Sequence, residues 1–315
     1  MLRGQVILRL NAAMLFWCIL NCDLAMASDV TVKVWTRGTG NYFKSEGKEK
    51  NIRIVAISSL KQHTLAKFDI QLGKKFSFKG VKLADVISSY DADPSADMAL
   101  LHFSNRMIVP VPLTNQRAAL SKLDALIATQ IQIDKKWTSS IPKIEREEEA
   151  IDKRDPVPTT FSGNKIVVST LWYPFASEEK ALEVPNQQNK KLFSPWRNVG
   201  SITGVEFVNQ DAYYAQFAVK GEDEGFKVFF ERCQYCHGVN GVGAKYGWDY
   251  VDPLPLFEKR NAKQLFIHVK YPSFDTFRLR QRMPKQQDFS QVESEAMWKW
   301  LKAVTKSDLK PYQIP

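Results

Sequence analysis

The residues best equipped for chemistry lie together, in Cys233-Gln234-Tyr235-Cys236-His237. Two thiols three positions apart, followed at once by an imidazole, have the spacing that attaches a chain to a c-type haem. The thiols add to the two vinyl groups on one porphyrin edge, and the next residue turns a ring nitrogen toward the iron. Other readings fit less well. A thioredoxin-like redox pair needs a strand before it and a helix after it within a βαβ unit, whereas a helical pattern precedes Cys233 and a Gly-rich stretch follows His237. A structural zinc site needs a second Cys or His pair, and the other histidines, His63, His102 and His268, are single. A structural disulfide leaves His237 without a part to play.

With His237 as proximal ligand, the haem reading calls for a second axial ligand. Met283 follows 46 residues later, inside Arg282-Met283-Pro284. Pro284 restricts the residue before it to extended or turn backbone, which suits a ligand presented from a loop. A Met/His pair raises the iron potential. Met297 falls at helical spacing with Trp300 and Leu301 and reads as core. His268 sits on an apolar helical stretch, Gln264 to Val269, and reads as a packed histidine. His63 and His102 read as surface or locally hydrogen-bonded side chains.

The elements around this motif must hold it in place. Gly225 and Phe229 stand eight and four residues before Cys233. Gly238-Val239-Asn240-Gly241-Val242-Gly243 follows His237, and a proline stretch, Asp252-Pro253-Leu254-Pro255-Leu256, comes next. Ser290 and Glu293 have the spacing of a capping box at the head of a helix over Val292 to Thr305, which carries Trp298, Trp300 and Leu301. In this order, residues 221–307 resemble a class I cytochrome c domain. The resemblance implies that Gly225 and Phe229 pack on the closing helix and that a carbonyl of the proline stretch accepts from the proximal imidazole. It also implies an all-α domain over 220–315 with Cys233 and Cys236 as covalent haem attachments, His237 as proximal ligand and Met283 as distal ligand. Such a haem passes one electron at a time.

The N-terminus reads as an export signal. Arg3 and Arg9 precede an apolar run from Leu10 to Leu20, and Ala25-Met26-Ala27 forms a small-x-small site that places cleavage before Ser28. The run is about 11 residues, short of the roughly 20 of a membrane span. Asn21 argues against lipidation at Cys22. Cys18 and Cys22 leave with residues 1–27, so Cys233 and Cys236 are the only cysteines of the remainder. The product is expected to be a soluble periplasmic protein with no membrane span.

Residues 28–219 read as α+β. Strands are expected over Val30 to Trp35, Ile52 to Ile57, Lys165 to Leu171 and Ile202 to Val208, from their β-branched enrichment. A hairpin joins Met98–Phe103 to Met107–Leu113, its prolines Pro110 and Pro112 marking a sheet edge. A turn at Lys79-Gly80 enters a short helix that runs to Ile87. Leu120, Leu123 and Ile127 form a helical stripe within Gln116 to Gln130, and Lys143 to Arg154 is a charged surface loop. The succession Phe78 to Leu83, Leu100 to Leu113, Leu171-Trp172-Tyr173-Pro174-Phe175 and Ser194-Pro195-Trp196-Arg197 resembles the molybdopterin-binding domain of the sulfite oxidase family. Those enzymes hold molybdenum through a cysteine thiolate, and residues 28–219 contain no cysteine. Molybdopterin is therefore not expected, and the domain reads as a scaffold or partner-binding module.

Composition sets the outer bounds. The chain has 315 residues, 44% hydrophobic and 25% charged, which excludes collagen, low-complexity disorder and a polytopic membrane protein. The net charge is +10, and +9 without residues 1–27. No nucleic-acid motif accompanies that excess. Arg278, Arg280, Arg282 and Lys285 flank Met283 instead, a basic rim suited to an acidic redox partner. The expected protein is an exported monohaem c-type cytochrome that carries electrons between periplasmic partners. Two alternatives stand beside it: a dehydrogenase subunit whose N-terminal domain feeds the haem, and a haem-based ligand sensor.

Overall fold

The computed structural model describes residues 31–37, 49–69, 74–92, 94–113, 125–141, 161–162, 165–167, 200–252, 254–272, 283, 286 and 288–306. The signal segment, the charged run 143–154, the stretches 171–175 and 194–197, and the basic rim Arg278, Arg280, Arg282 and Lys285 lie outside these residues.

The first sheet contains β1 (Thr31–Arg37), β2 (Glu49–Ala56), β5 (Met98–Phe103), β6 (Ile108–Pro112) and β12 (Ile202–Val208), in the order β2-β1-β12-β5-β6. The β1–β12 pair is parallel and the others are antiparallel. The second sheet contains β3 (His63–Asp69), β4 (Lys74–Lys82), β7 (Leu126–Ile133) and β11 (Lys165–Val167) in the order β11-β7-β4-β3, with β8 (Lys136–Thr138) also on β7. A small pair joins β9 (Ser140–Ile141) to β10 (Phe161–Ser162). Helix α1 (Leu83–Ser88) follows β4 directly, so Lys79 to Lys82 complete a strand where the sequence reading placed a turn. The helical stripe also ends differently than expected. From Leu126 the chain is strand, because β-branched residues at Ile127, Thr129, Ile131 and Ile133 alternate along it and suit a pleated surface. Residues 116–124 are outside the described set.

The strand β5 explains the core. Its run Met98-Ala99-Leu100-Leu101-His102-Phe103 is apolar almost throughout, the mark of a strand covered on both faces. Ala99, Leu101 and Phe103 pack with Val34, Val81, Val109 and Phe207 in one cluster. Met98 and Leu100 turn the other way, into a second cluster built mostly from residues beyond 208.

That second cluster belongs to α2 (Gln210–Tyr214), α3 (Asp223–Val228), α4 (Leu256–Lys259), α5 (Ala262–Lys270) and α6 (Gln291–Lys306). The C-terminal part is not all-α, contrary to the expectation from resemblance. The chain mixes helix and strand throughout, and β13 (Gly238–Val239) and β14 (Val242–Gly243) form a hairpin directly after His237. Asn240 and Gly241 at its tip have φ of 52° and 79°. This is the double left-handed turn that Asn-Gly favours between two strands, so the Gly-rich stretch pairs with itself. Among the described residues no helix is long and apolar enough to cross a membrane.

Candidate functional site

Helix α3 leads into Cys233 through a wider turn over Phe229–Cys233, in which Gln234 N donates to Phe229 O at 3.0 Å, five residues back. Cys236 N and His237 N both donate to Cys233 O, at 3.1 and 3.0 Å, so the five-residue motif wraps one tight turn. As the resemblance implied, α3 crosses α6 closely at Gly225. A Cβ there would overlap Ala296 O and Trp300 Cβ, so only glycine fits. Phe229 stacks on Trp300 at 4.9 Å, and Trp300 Nε1 donates to Phe217 O at 2.8 Å. Trp298 instead packs on Phe257, away from α3.

The orientation of His237 is set on three sides. Its Nδ1 donates to Trp248 O at 2.7 Å, its ring stacks on Tyr250 at 4.5 Å, and Gly247 lies so close that a Cβ there would overlap the imidazole. The carbonyl partner is thus Trp248, where the resemblance implied the proline stretch. A hydrogen bond at Nδ1 fixes the tautomer and leaves the Nε2 lone pair for a metal. Burial lowers the imidazole pKa to about 4, against the raising effect of the Trp248 carbonyl and with a further lowering by the charge of His268. At neutral pH the ring is therefore the neutral, ligating form.

Both thiols are free and buried. Cys233 lies 3.9 Å from Met297 Sδ, and burial pushes the thiols of Cys233 and Cys236 each up to about 12. In the closed fold they are poor nucleophiles, because the thiolate is the reacting form. Met297 is fully buried, as its helical spacing indicated. Met283 is half-buried against the same apolar cluster that contains Cys233 and Met297. His268 lies on α5, close enough to His237 to act on its charge. His63 pairs with Asp85 at 3.3 Å and His102 with Glu206 at 2.8 Å.

Two thiols and a neutral, oriented imidazole thus lie on one turn, and the thioethers of Met283 and Met297 share an apolar cluster with Cys233. Among the described residues no group of three or more His, Cys, Asp and Glu converges as a metal cage.

Three supporting residues escaped the sequence reading. The Asp249 carboxylate accepts from the backbone N–H groups of Asn240, Gly241, Val251 and Asp252 at 2.8 to 3.1 Å, tying the β13–β14 tip to the loop that carries Trp248. Arg232, next to Cys233, donates to Glu293 at 2.9 Å and to Asp288 at 3.1 Å. Burial works against its charge, but the two carboxylates outweigh that and hold its pKa above the ordinary value. Trp248 is the third. Its indole is 73% exposed, with Lys259 Nζ 5.4 Å from the ring centre. A short loop aspartate and a surface tryptophan carry no periodic signal. Arg232 had only its adjacency to Cys233 to mark it.

The chain matches no protein-family model and no curated protein.

Proposed function

We propose that this chain is a monohaem c-type cytochrome that moves single electrons between redox proteins, exported to the periplasm by residues 1–27. The observation that carries the reading is the 2.7 Å bond from His237 Nδ1 to Trp248 O beside Cys233 and Cys236. It gives the imidazole that follows two thiols the tautomer and orientation of an iron ligand. A bound haem would supply a one-electron ferric/ferrous couple. The chain would hold it through Cys233 and Cys236, with His237 and Met283 as the residues that would ligate the iron. Trp248 and Lys259 place an aromatic and a cationic group on the surface near His237, suited to a partner with acidic groups.

Expression with a c-type maturation system tests this reading. The wild-type chain retains haem after denaturation, and Cys233→Ala with Cys236→Ala abolishes that retention. Met283→Ala keeps covalent haem, lowers the midpoint potential and admits carbon monoxide in the reduced state. A chain that never retains haem sinks the proposal.

A further inference from the structure

Two of the contacts that orient His237 come from one short segment. Trp248 O accepts from Nδ1 at 2.7 Å, and the Tyr250 ring stacks on the imidazole at 4.5 Å. Asp249 stands between these two residues and reaches elsewhere. Its Oδ1 accepts from Asn240 N at 3.1 Å, Val251 N at 2.8 Å and Asp252 N at 2.9 Å, and its Oδ2 accepts from Gly241 N at 2.8 Å.

Backbone ties hold the ends of the segment. Gly247 N donates to Cys236 O at 2.7 Å and Tyr250 N to Gly238 O at 3.0 Å. The acceptor for His237 belongs to the peptide unit between Trp248 and Asp249, which lies inside those ends. Each residue has two soft backbone torsions, so a planar unit between two fixed points can still tilt. Anchoring the Asp249 side chain fixes the torsions next to that unit, and with them the direction of Trp248 O.

A local turn explains only half of the anchoring. The bonds to Val251 and Asp252 are the kind an aspartate makes to its own turn. The bonds to Asn240 and Gly241 cross to the β13–β14 tip, where φ is 52° and 79° and successive N–H groups converge on an anion. Asn240 is 5% exposed, so its N–H needs a partner. An ionised acceptor makes these bonds about twice as strong as neutral ones. Gly238, the residue after His237, leaves the carboxylate its place, since a Cβ there would lie 3.1 Å from Asp249 Oδ2.

We infer that Asp249 is a positioning residue for His237: its carboxylate, seated on the N–H groups of Asn240 and Gly241, holds the 248–249 peptide at the angle at which Trp248 O receives the Nδ1 proton. The consequence at iron rests on the reading of His237 as a haem ligand. A firm Nδ1 bond makes the imidazole a more basic ligand, which favours ferric iron and lowers the potential.

Hydrogen exchange of the His237 Nδ1 proton, followed by NMR in the full chain with or without attached haem, is the test. Asp249→Asn removes the charge and one acceptor oxygen. Asp249→Glu keeps the charge and displaces the carboxylate by one methylene. Both speed Nδ1 exchange about tenfold or more, the worth of a hydrogen bond to a charged group. The Trp300 Nε1 proton, bonded to Phe217 O at 2.8 Å, keeps its wild-type exchange in both. Asp252→Asn, which removes an exposed charge that acts on Lys245 as that of Asp249 does, leaves Nδ1 exchange unchanged. Where haem is attached, Asp249→Asn raises the midpoint potential more than Asp252→Asn does. Wild-type Nδ1 exchange in the Asp249 variants, an equal acceleration at Trp300, equal potential shifts in the two Asn variants, or loss of the fold in both Asp249 variants would each overturn the inference. A chain that retains no haem sinks the ligand reading and leaves the exchange test standing.

Discussion

At the residue scale, one glycine does more for the site than any charged group. Gly247 N donates to Cys236 O at 2.7 Å, and the absent Cβ leaves room for the His237 ring. Gly247→Ala forces either the imidazole or the loop to move. We expect it to cost about 1–3 kcal/mol, the usual penalty of overpacking, measured by urea denaturation. It should also break the Nδ1–Trp248 bond, read as a shift of the His237 ring resonances by NMR. Tyr214 gives a pH-dependent counterpart. Its hydroxyl donates to Gln234 Oε1 at 3.1 Å, and burial, with the neighbouring Tyr213 and Tyr235, holds its pKa well above the ordinary value. Above a pH of about 10 the unfolded chain loses this proton while the folded chain keeps it. Stability therefore falls as pH rises, by up to about 1.4 kcal/mol per pH unit. Tyr214→Phe should flatten that part of the profile in urea midpoints collected across the alkaline range.

At the scale of elements, the sequence was legible where one face is buried and one signal dominates. Ser290 and Glu293 cap α6 as their spacing indicated: Glu293 N donates to Ser290 Oγ at 3.1 Å and Ser290 N to Glu293 Oε2 at 2.7 Å. The close crossing at Gly225 was implied by the resemblance, and its cause is steric, since a Cβ there would overlap Ala296 O and Trp300 Cβ. The strand from Leu126 was not legible, because Leu120, Leu123 and Ile127 also satisfy a helical period and a short apolar run fits either template. The hairpin at Asn240-Gly241 was open to reading, since Asn-Gly between apolar residues signals a tight turn, but the expectation of an all-α domain hid it. Glu293 does double duty, capping α6 while pairing with Arg232. Ser290→Ala removes only the cap and should cost about 1 kcal/mol. Glu293→Ala also leaves the largely buried Arg232 guanidinium short of a partner and should cost about 2–4 kcal/mol. Thermal denaturation of the two variants distinguishes these roles, and equal losses would show that the Arg232 pair contributes nothing.

At the scale of the whole molecule, the Cys-x-x-Cys-His turn is a joint between the first sheet and the helices. β6 is a sheet edge, and in its outward register Pro110 and Pro112 have no N–H to leave unpaired, while Ile108 N donates to Tyr235 O at 3.2 Å. The candidate haem motif thus covers the one donor of that row which the prolines do not remove, where an open edge would invite other strands. Tyr235 and Cys236 sit in the apolar cluster of the sheets, and Cys233 in that of the helices. Met98 and Leu100 return the exchange by reaching from β5 into the helical cluster. No periodicity in the sequence announced this, because the side chains come from segments more than a hundred residues apart. Since apolar contacts cross between the parts in both directions, the sheets and helices should unfold together, so far-ultraviolet circular dichroism and tryptophan fluorescence should give coincident urea transitions. Tyr235, 1% exposed, is the lever. Tyr235→Ala opens a cavity in the sheet core and should cost about 3–5 kcal/mol, as aromatic truncations do. If the parts are one cooperative unit, both transitions shift to lower urea by the same amount. If the sheet signal alone shifts while the fluorescence of buried Trp300 holds its midpoint, the joint does not couple them, and the motif merely rests on the sheet.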